Sequence, residues 1–139
     1  EQVVELLIRR GAEVNLQDSD SYTALMFAAA NGHEKLVELA LRHGAEVNQQ
    51  SKIGNTALMD AAYKGHERVV ELMLRHGAEI NLQDSGGYTA LMLAAGKGRE
   101  QVVELLIRRG AEVNLQDSDS YTALMFAAAN GHEKLVELA

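Results

Sequence analysis

Thr56-Ala57-Leu58-Met59 is one of four copies of a single tetrapeptide, and the others begin at Thr23, Thr89 and Thr122, so the spacing is 33 residues throughout. A second marker, Gly-Ala-Glu followed by Val or Ile and then Asn, starts at Gly11, Gly44, Gly77 and Gly110 with the same period. A fixed period of this length is the signature of a repeat architecture. A longer identity lies over it: residues 1–40 and 100–139 are the same sequence, at an offset of three periods. The chain therefore reads as three distinct repeats with the cycle begun again. It divides into a partial repeat 1–22, full repeats 23–55, 56–88 and 89–121, and a partial repeat 122–139, forming a single array.

Each period predicts two short helices and a polar turn. The first helix starts at Thr, whose hydroxyl can accept an orphan backbone N–H. It runs through Ala-Leu-Met and an alanine pair such as Ala28-Ala29, and stops at Gly32, Gly65, Gly98 or Gly131. The second runs from about Glu34 to His43, with Leu36, Val37, Leu39, Ala40 and Leu41 making a broad apolar face. Glu38–Arg42, Glu71–Arg75 and Glu104–Arg108 are i,i+4 pairs in the favourable order. Glu1 and Ala139 both fall in second helices. Between helices, stretches such as Asn15–Tyr22 are rich in Asn, Asp and Ser and read as extended turns. A helix pair this short cannot cover its own apolar face, so the core must grow by stacking. The small residues of the first helix allow close approach and the bulkier second helix splays the outer side. The expected fold is an all-α, curved, one-dimensional solenoid with the alanine-rich helices inside.

Composition sets the broad class. Forty-seven per cent of the residues are apolar and 24 % charged, the profile of a soluble, folded chain. Thirteen Lys and Arg against twenty Asp and Glu leave a net charge of −7, which disfavours binding to a phosphate backbone or to an anionic membrane surface. No apolar run is long enough for a membrane span. The start, Glu1-Gln2-Val3-Val4, has neither the basic nor the apolar stretch of a signal peptide. Cysteine is absent, which excludes disulfides, thiolate metal sites and thiol catalysis. For a natural chain these features point to the cytoplasm; proline is absent too.

The 33-residue period, Thr-x-Leu, Ala-Ala, Gly-His, Val-Glu-Leu and Gly-Ala-Glu-Val-Asn, in one fixed order, resemble the ankyrin repeat over the whole chain. Two departures stand out. The family's Thr-Pro-Leu-His is Thr-Ala-Leu-Met in every copy, which gives up the proline suited to the first helical position. Losing that fixed φ costs about 0.4–1 kcal/mol per repeat through the unfolded state. Met cannot reproduce the histidine's hydrogen bonds, so apolar packing must replace them. In the turns, Gly54 and Gly87 keep the family's glycine, but Ser21 and Ser120 replace it. A positive φ is costly for serine, so those two fingers are expected to vary more in conformation. A 40-residue identity without one substitution points to an engineered or recombined array.

Several patterns imitate catalytic or metal chemistry without supplying it. His33, His66 and His132 share one repeat position, and His43 and His76 another. Equivalent positions in adjacent repeats lie roughly 8–10 Å apart, a helix-packing distance, too far to share an ion that needs ligands at about 2 Å. The resemblance implies that the Gly-His pair buttresses the turn. Gly96-Lys97-Gly98-Arg99 lacks the spacing and the preceding strand of a phosphate loop. Asp18-Ser19-Asp20-Ser21 begins like a calcium loop, but Tyr22 and the lack of a distal Glu break the pattern. No Ser or Thr has a spaced His–acid partner. No catalytic residue, metal or cofactor is expected, and the chain does not read as an enzyme.

What changes from repeat to repeat is more informative. Phe27, Asp60 and Leu93 occupy one first-helix position, with Ala30-Asn31, Tyr63-Lys64 and Gly96-Lys97 three and four residues later, on the same face. In the turns, Ser19-Asp20-Tyr22, Lys52-Ile53-Asn55 and Ser85-Gly86-Tyr88 differ, and the first set returns at Ser118-Asp119-Tyr121. By the resemblance, these are positions where ankyrin repeats typically meet protein partners. They outline a concave strip with Tyr22, Phe27, Tyr63 and Tyr88 as aromatic anchors, flanked by Asn31, Lys52, Ile53, Asn55, Asp60, Lys64, Leu93 and Lys97. Tyr121 and Phe126 repeat the first patch. The implied function is a non-catalytic scaffold for protein–protein recognition. The alternative is a structural array that associates end to end through uncapped faces.

Overall fold

A computed structural model describes residues 2–138; Glu1 and Ala139, placed above in second helices, lie outside them. Nine helices follow in order among these residues: α1 (Gln2–Arg9), α2 (Ala24–Ala30), α3 (Glu34–Arg42), α4 (Ala57–Lys64), α5 (Glu67–Arg75), α6 (Ala90–Gly96), α7 (Glu100–Arg108), α8 (Ala123–Ala129) and α9 (Glu133–Leu138). Every first helix starts as the threonine predicts: Thr23, Thr56, Thr89 and Thr122 accept from the amides of Met26, Met59, Met92 and Met125 at 3.2–3.3 Å. The ends differ slightly from expectation. Only α4 is capped by its glycine, Gly65; α2, α6 and α8 are capped by Asn31, Lys97 and Asn130, with the glycine one residue further on.

The helices form two layers. The first helices pack successively, α2 on α4 on α6 on α8, and more closely than the second helices α3, α5, α7 and α9. Alanines at the contacts account for the difference: Ala29, Ala61, Ala62 and Ala94 are wholly buried. The core is one continuous stripe through the stack, with Met59, Val70, Met73 and Leu106 at its centre.

The duplicated sequence separates the contribution of sequence from that of environment. Leu25, Met26 and Val37 are 1 %, 1 % and 0 % exposed, whereas their identical counterparts Leu124, Met125 and Val136 are 43 %, 49 % and 40 % exposed. The former are covered by α4 and α5. Fully burying one such side chain contributes about 1.5–3 kcal/mol, so the stacking of neighbours supplies most of what holds a repeat together.

Polar side chains tie one repeat to the next at fixed intervals. Asn15 donates to Gly44 O (3.0 Å) and accepts from the Glu46 amide (2.7 Å); Asn48 repeats both bonds with Gly77 (3.2 Å) and Glu79 (2.7 Å). The Gly-His position does more than buttress its own turn. His66 Nε2 lies 3.1 Å from Ala30 O and His132 Nε2 3.2 Å from Gly96 O, each in the preceding repeat, as donors to those carbonyls. Arg99 occupies the same position and donates from Nε to Tyr63 O at 3.0 Å. The preceding glycines leave room for this reach: a Cβ on Gly32 would lie 2.8 Å from the His66 ring, and Gly32 also has φ +68°.

Candidate protein-binding surface

The fingers and the first-helix faces are built from the same local rule. In three fingers an aspartate, Asp18, Asp84 or Asp117, accepts from the amides two and four residues later at 2.8–2.9 Å. That use of Asp18 by its own backbone is the reason the calcium-like tetrad is a turn. In the remaining finger Ser51 Oγ accepts from the Asn55 amide at 3.1 Å. Adjacent fingers are joined by Lys52 N donating to Asp20 O (3.0 Å), Ser85 N to Ile53 O (2.9 Å) and Ser118 N to Gly86 O (2.9 Å).

Ser21 and Ser120 close the same turn as the glycines they replace. Both take the positive φ of the glycines they replace, 64° and 69° against 81° at Gly54 and 82° at Gly87. The closing bonds are the same as well: Ser21 N to Asp18 O is 2.9 Å and Gly54 N to Ser51 O is 2.9 Å. The neighbouring bonds hold the serine turn in a left-handed conformation, so the cost appears as strain and not as a different finger.

These turns deliver side chains onto the first-helix face in pairs. Tyr22 meets Phe27 with ring centroids 5.4 Å apart, and Tyr121 meets Phe126 edge-on at 5.7 Å. At the corresponding positions one period further on the aromatic pair is replaced by a polar one, Asn55 Nδ2 donating to Asp60 Oδ1 at 2.7 Å. Asn55 also lies 3.4 Å from the Tyr22 hydroxyl, which links the two repeats. This pairing across five residues was visible as two separate variable columns in the sequence, but not as a contact. Asp60 Oδ2 is buried and accepts no hydrogen bond from the described residues. Burial pushes the Asp60 carboxyl above the ordinary carboxylate range, against the opposing effects of the Asn55 bond and the Lys64 charge. Burial, with the Asp60 charge second, raises the Tyr22 phenol in turn.

The placement of the other expected residues divides them. Phe27, Ile53 and Tyr63 are 51 %, 61 % and 39 % exposed, and Asn31, Lys52, Lys64 and Lys97 are exposed as well. Tyr22, Asp60, Tyr88 and Leu93 are half-buried. Asn55 departs from the expected position on the strip: only 8 % of it is exposed, because its amide is turned inward to Asp60. Asn31 donates to Phe27 O at 2.8 Å and so also closes the end of α2. Lys97 Nζ stands 5.1 Å above the Tyr63 ring, a cation–π geometry. A groove of about 250 Å³ lies between repeats here, lined by Tyr63, Tyr88, Leu93, Gly96, Lys97 and Phe126 among others. Phe126, expected as the repeat of the first patch, and Gly96, one of the variable positions beside Lys97, complete this lining. Gly96 stands where other repeats carry Ala30, Tyr63 and Ala129, which was the available signal.

All six aromatic residues of the chain thus lie on the finger and first-helix side, as do three of its five lysines. The family model for ankyrin repeats (3 copies) matches residues 1–84 and 77–138. The chain belongs to the ankyrin-repeat family. A search of curated proteins returned no match. Ankyrin repeats generally mediate protein–protein interaction and are typically non-catalytic. Among the described residues of this ankyrin array no helix is long and apolar enough to cross a membrane. No group of three or more His, Asp or Glu among them is placed to hold a metal ion.

Proposed function

We propose that this ankyrin array is a non-catalytic scaffold that recognises a protein partner through the inner faces of its first helices and the adjoining fingers. The observation that supports this reading is the segregation of all six aromatics to that side, with Phe27, Ile53 and Tyr63 exposed. Exposed aromatics grouped on one face are the residue type that dominates binding energy at interfaces. The opposite face is formed by charged second-helix residues joined in exposed pairs such as Glu71–Arg75 and Glu38–Arg42, and it carries none of the aromatics. The unbroken identity of 1–40 and 100–139 supports an engineered or recombined origin. Panning a displayed peptide library against the array tests the reading. Selected peptides should bind a Phe27→Ala or Tyr63→Ala variant about tenfold or more weakly. Affinities unmoved by both substitutions would overturn it.

A second reading, end-to-end association, has one observation in its favour: the exposed face formed by Leu124, Met125 and Val136, whose counterparts are covered elsewhere in the stack. Light scattering coupled to size exclusion separates the two. A mass near 15.1 kDa at every concentration supports the scaffold reading, and a mass that climbs with concentration supports association.

A further inference from the structure

The groove between the second, third and fourth first helices, α4, α6 and α8, has features that the fold does not require. Gly96 ends α6 with no positive φ, and a Cβ there would meet only Phe126 Cβ, at an ordinary 3.8 Å. Glycine weakens a helix relative to alanine, and the equivalent positions hold Ala30, Tyr63 and Ala129. What the missing side chain provides is depth. Tyr63 on α4 and Phe126 on α8 flank it, and Tyr88 and Leu93 complete the apolar lining. Tyr88 and Phe126 are fixed against each other with centroids 5.8 Å apart, so the wall is preformed. The groove is open to solvent and offers about 250 Å³. A cavity of about 150 Å³ already admits a benzene ring, so one aromatic side chain fits.

The rim carries the other half of the specificity. None of the residues lining the groove is acidic, and Lys97 stands over the Tyr63 ring with no ion pair to any described residue. Lys64 occupies the same register one repeat earlier, also without an ion pair among the described residues, so two exposed lysines follow each other along one edge. The chain as a whole is at −7, with its paired glutamates such as Glu71 and Glu104 on the second helices and its six aspartates in the fingers and on α4. Among the residues that line the groove, Lys97 alone is charged. A ligand seated there therefore meets that ammonium in direct contact and the aspartates only at longer range.

We propose that the groove is an anchor site for an acidic protein segment that inserts one aromatic side chain between Tyr63 and Phe126 and sets a neighbouring carboxylate against Lys97. This deepens the scaffold reading above and rests on it. The probe is a blocked peptide, Gly-Ser-Glu-Phe-Glu-Ser-Gly, titrated to millimolar concentration into the isotope-labelled protein and followed by NMR. Saturable shifts at Tyr63, Tyr88, Gly96 and Lys97 are expected. The counterpart with Ala for Phe, and the one with Lys for both Glu, should each leave those resonances unmoved. Gly96→Leu should remove the response while the spectrum stays dispersed. Lys97→Met, which leaves the groove open, should weaken binding about threefold, as expected for loss of one rim charge pair. Equal responses to the acidic and basic peptides, or to the peptides with and without Phe, would overturn the anchor. Shifts confined to Tyr22 and Phe27 would overturn the groove assignment yet leave the inner face as the binding surface. Shifts on the second helices alone, or none anywhere, would overturn both.

Discussion

Asp60 is the residue at which the array departs furthest from its own pattern. Its equivalents are Phe27, Leu93 and Phe126, all apolar, and it brings a carboxylate with one satisfied and one unsatisfied oxygen into a half-buried site. Because burial raises its pKa in the folded chain, the ionised form is disfavoured by folding. The folded state then holds its proton to higher pH than the unfolded chain, whose value is near 3.8. This group's contribution therefore falls as pH rises from that value through the folded pKa, and stays unfavourable at neutral pH. Replacing it by an uncharged amide of the same shape removes the penalty. Asp60→Asn is expected to be more stable than the parent by about 1 kcal/mol at pH 7. That advantage should shrink toward acid pH. Paired urea titrations of both proteins at several pH values check this; an advantage that grows on acidification would contradict the desolvation account. An offsetting loss is built in, since Asn55 keeps an acceptor only if the new amide presents its oxygen at 2.7 Å, as Oδ1 does now.

At the scale of the element, the repeat is held to its neighbour by a step that recurs with two different side chains. His66 reaches Ala30 O and Arg99 reaches Tyr63 O, each one repeat back and each across a glycine that leaves space for it. The requirement is for a donor of sufficient reach and not for an imidazole. His66→Ala is expected to lose about 1 kcal/mol, the net worth of one hydrogen bond. His66→Arg should lie within about 0.5 kcal/mol of the parent, as for a substitution that keeps the contact. Chemical denaturation of the three proteins decides; if the arginine variant is as damaged as the alanine variant, the carbonyl contact is not the source of the stabilisation. This bond also shows where sequence reading stops. The period, the threonine caps and the alanine layer were legible because each is set by residues close in sequence. The histidine's partner lies 36 residues away, and nothing in Gly65-His66 indicates that its acceptor is Ala30. Ser21 is a similar case: its own propensity opposes φ 64°, and the bonds that impose it come from Asp18 and from the adjoining finger through Asp20 and Lys52. On the candidate surface the variable columns were legible and the inward turn of Asn55 was not, because an amide and a carboxylate five residues apart reveal their contact only once the turn is built.

The whole molecule is a test of how far stability is shared along a stack. Because residues 23–40 and 122–139 are the same sequence, a substitution at matched positions changes the same atoms in two environments. Leu25 is 1 % exposed beneath α4, and Leu124 is 43 % exposed with no repeat over it in the described chain. If stability were set by each repeat's own sequence, truncating either leucine would have the same effect. If it is set by nearest-neighbour contact, the two must differ. Leu25→Ala leaves a cavity between α2 and α4 and is expected to cost about 2–5 kcal/mol. Leu124→Ala removes a side chain already half in water and leaves no enclosed space, so a loss of about 1 kcal/mol or less is expected. Denaturant unfolding of the two variants beside the parent measures both. Equal losses would mean that the uncovered face is buried in solution, and concentration-dependent unfolding of the parent would then identify a second copy as the cover. Unequal losses at constant mass would assign the stability to contacts between neighbours within one chain, leaving the aromatic inner face free for a partner.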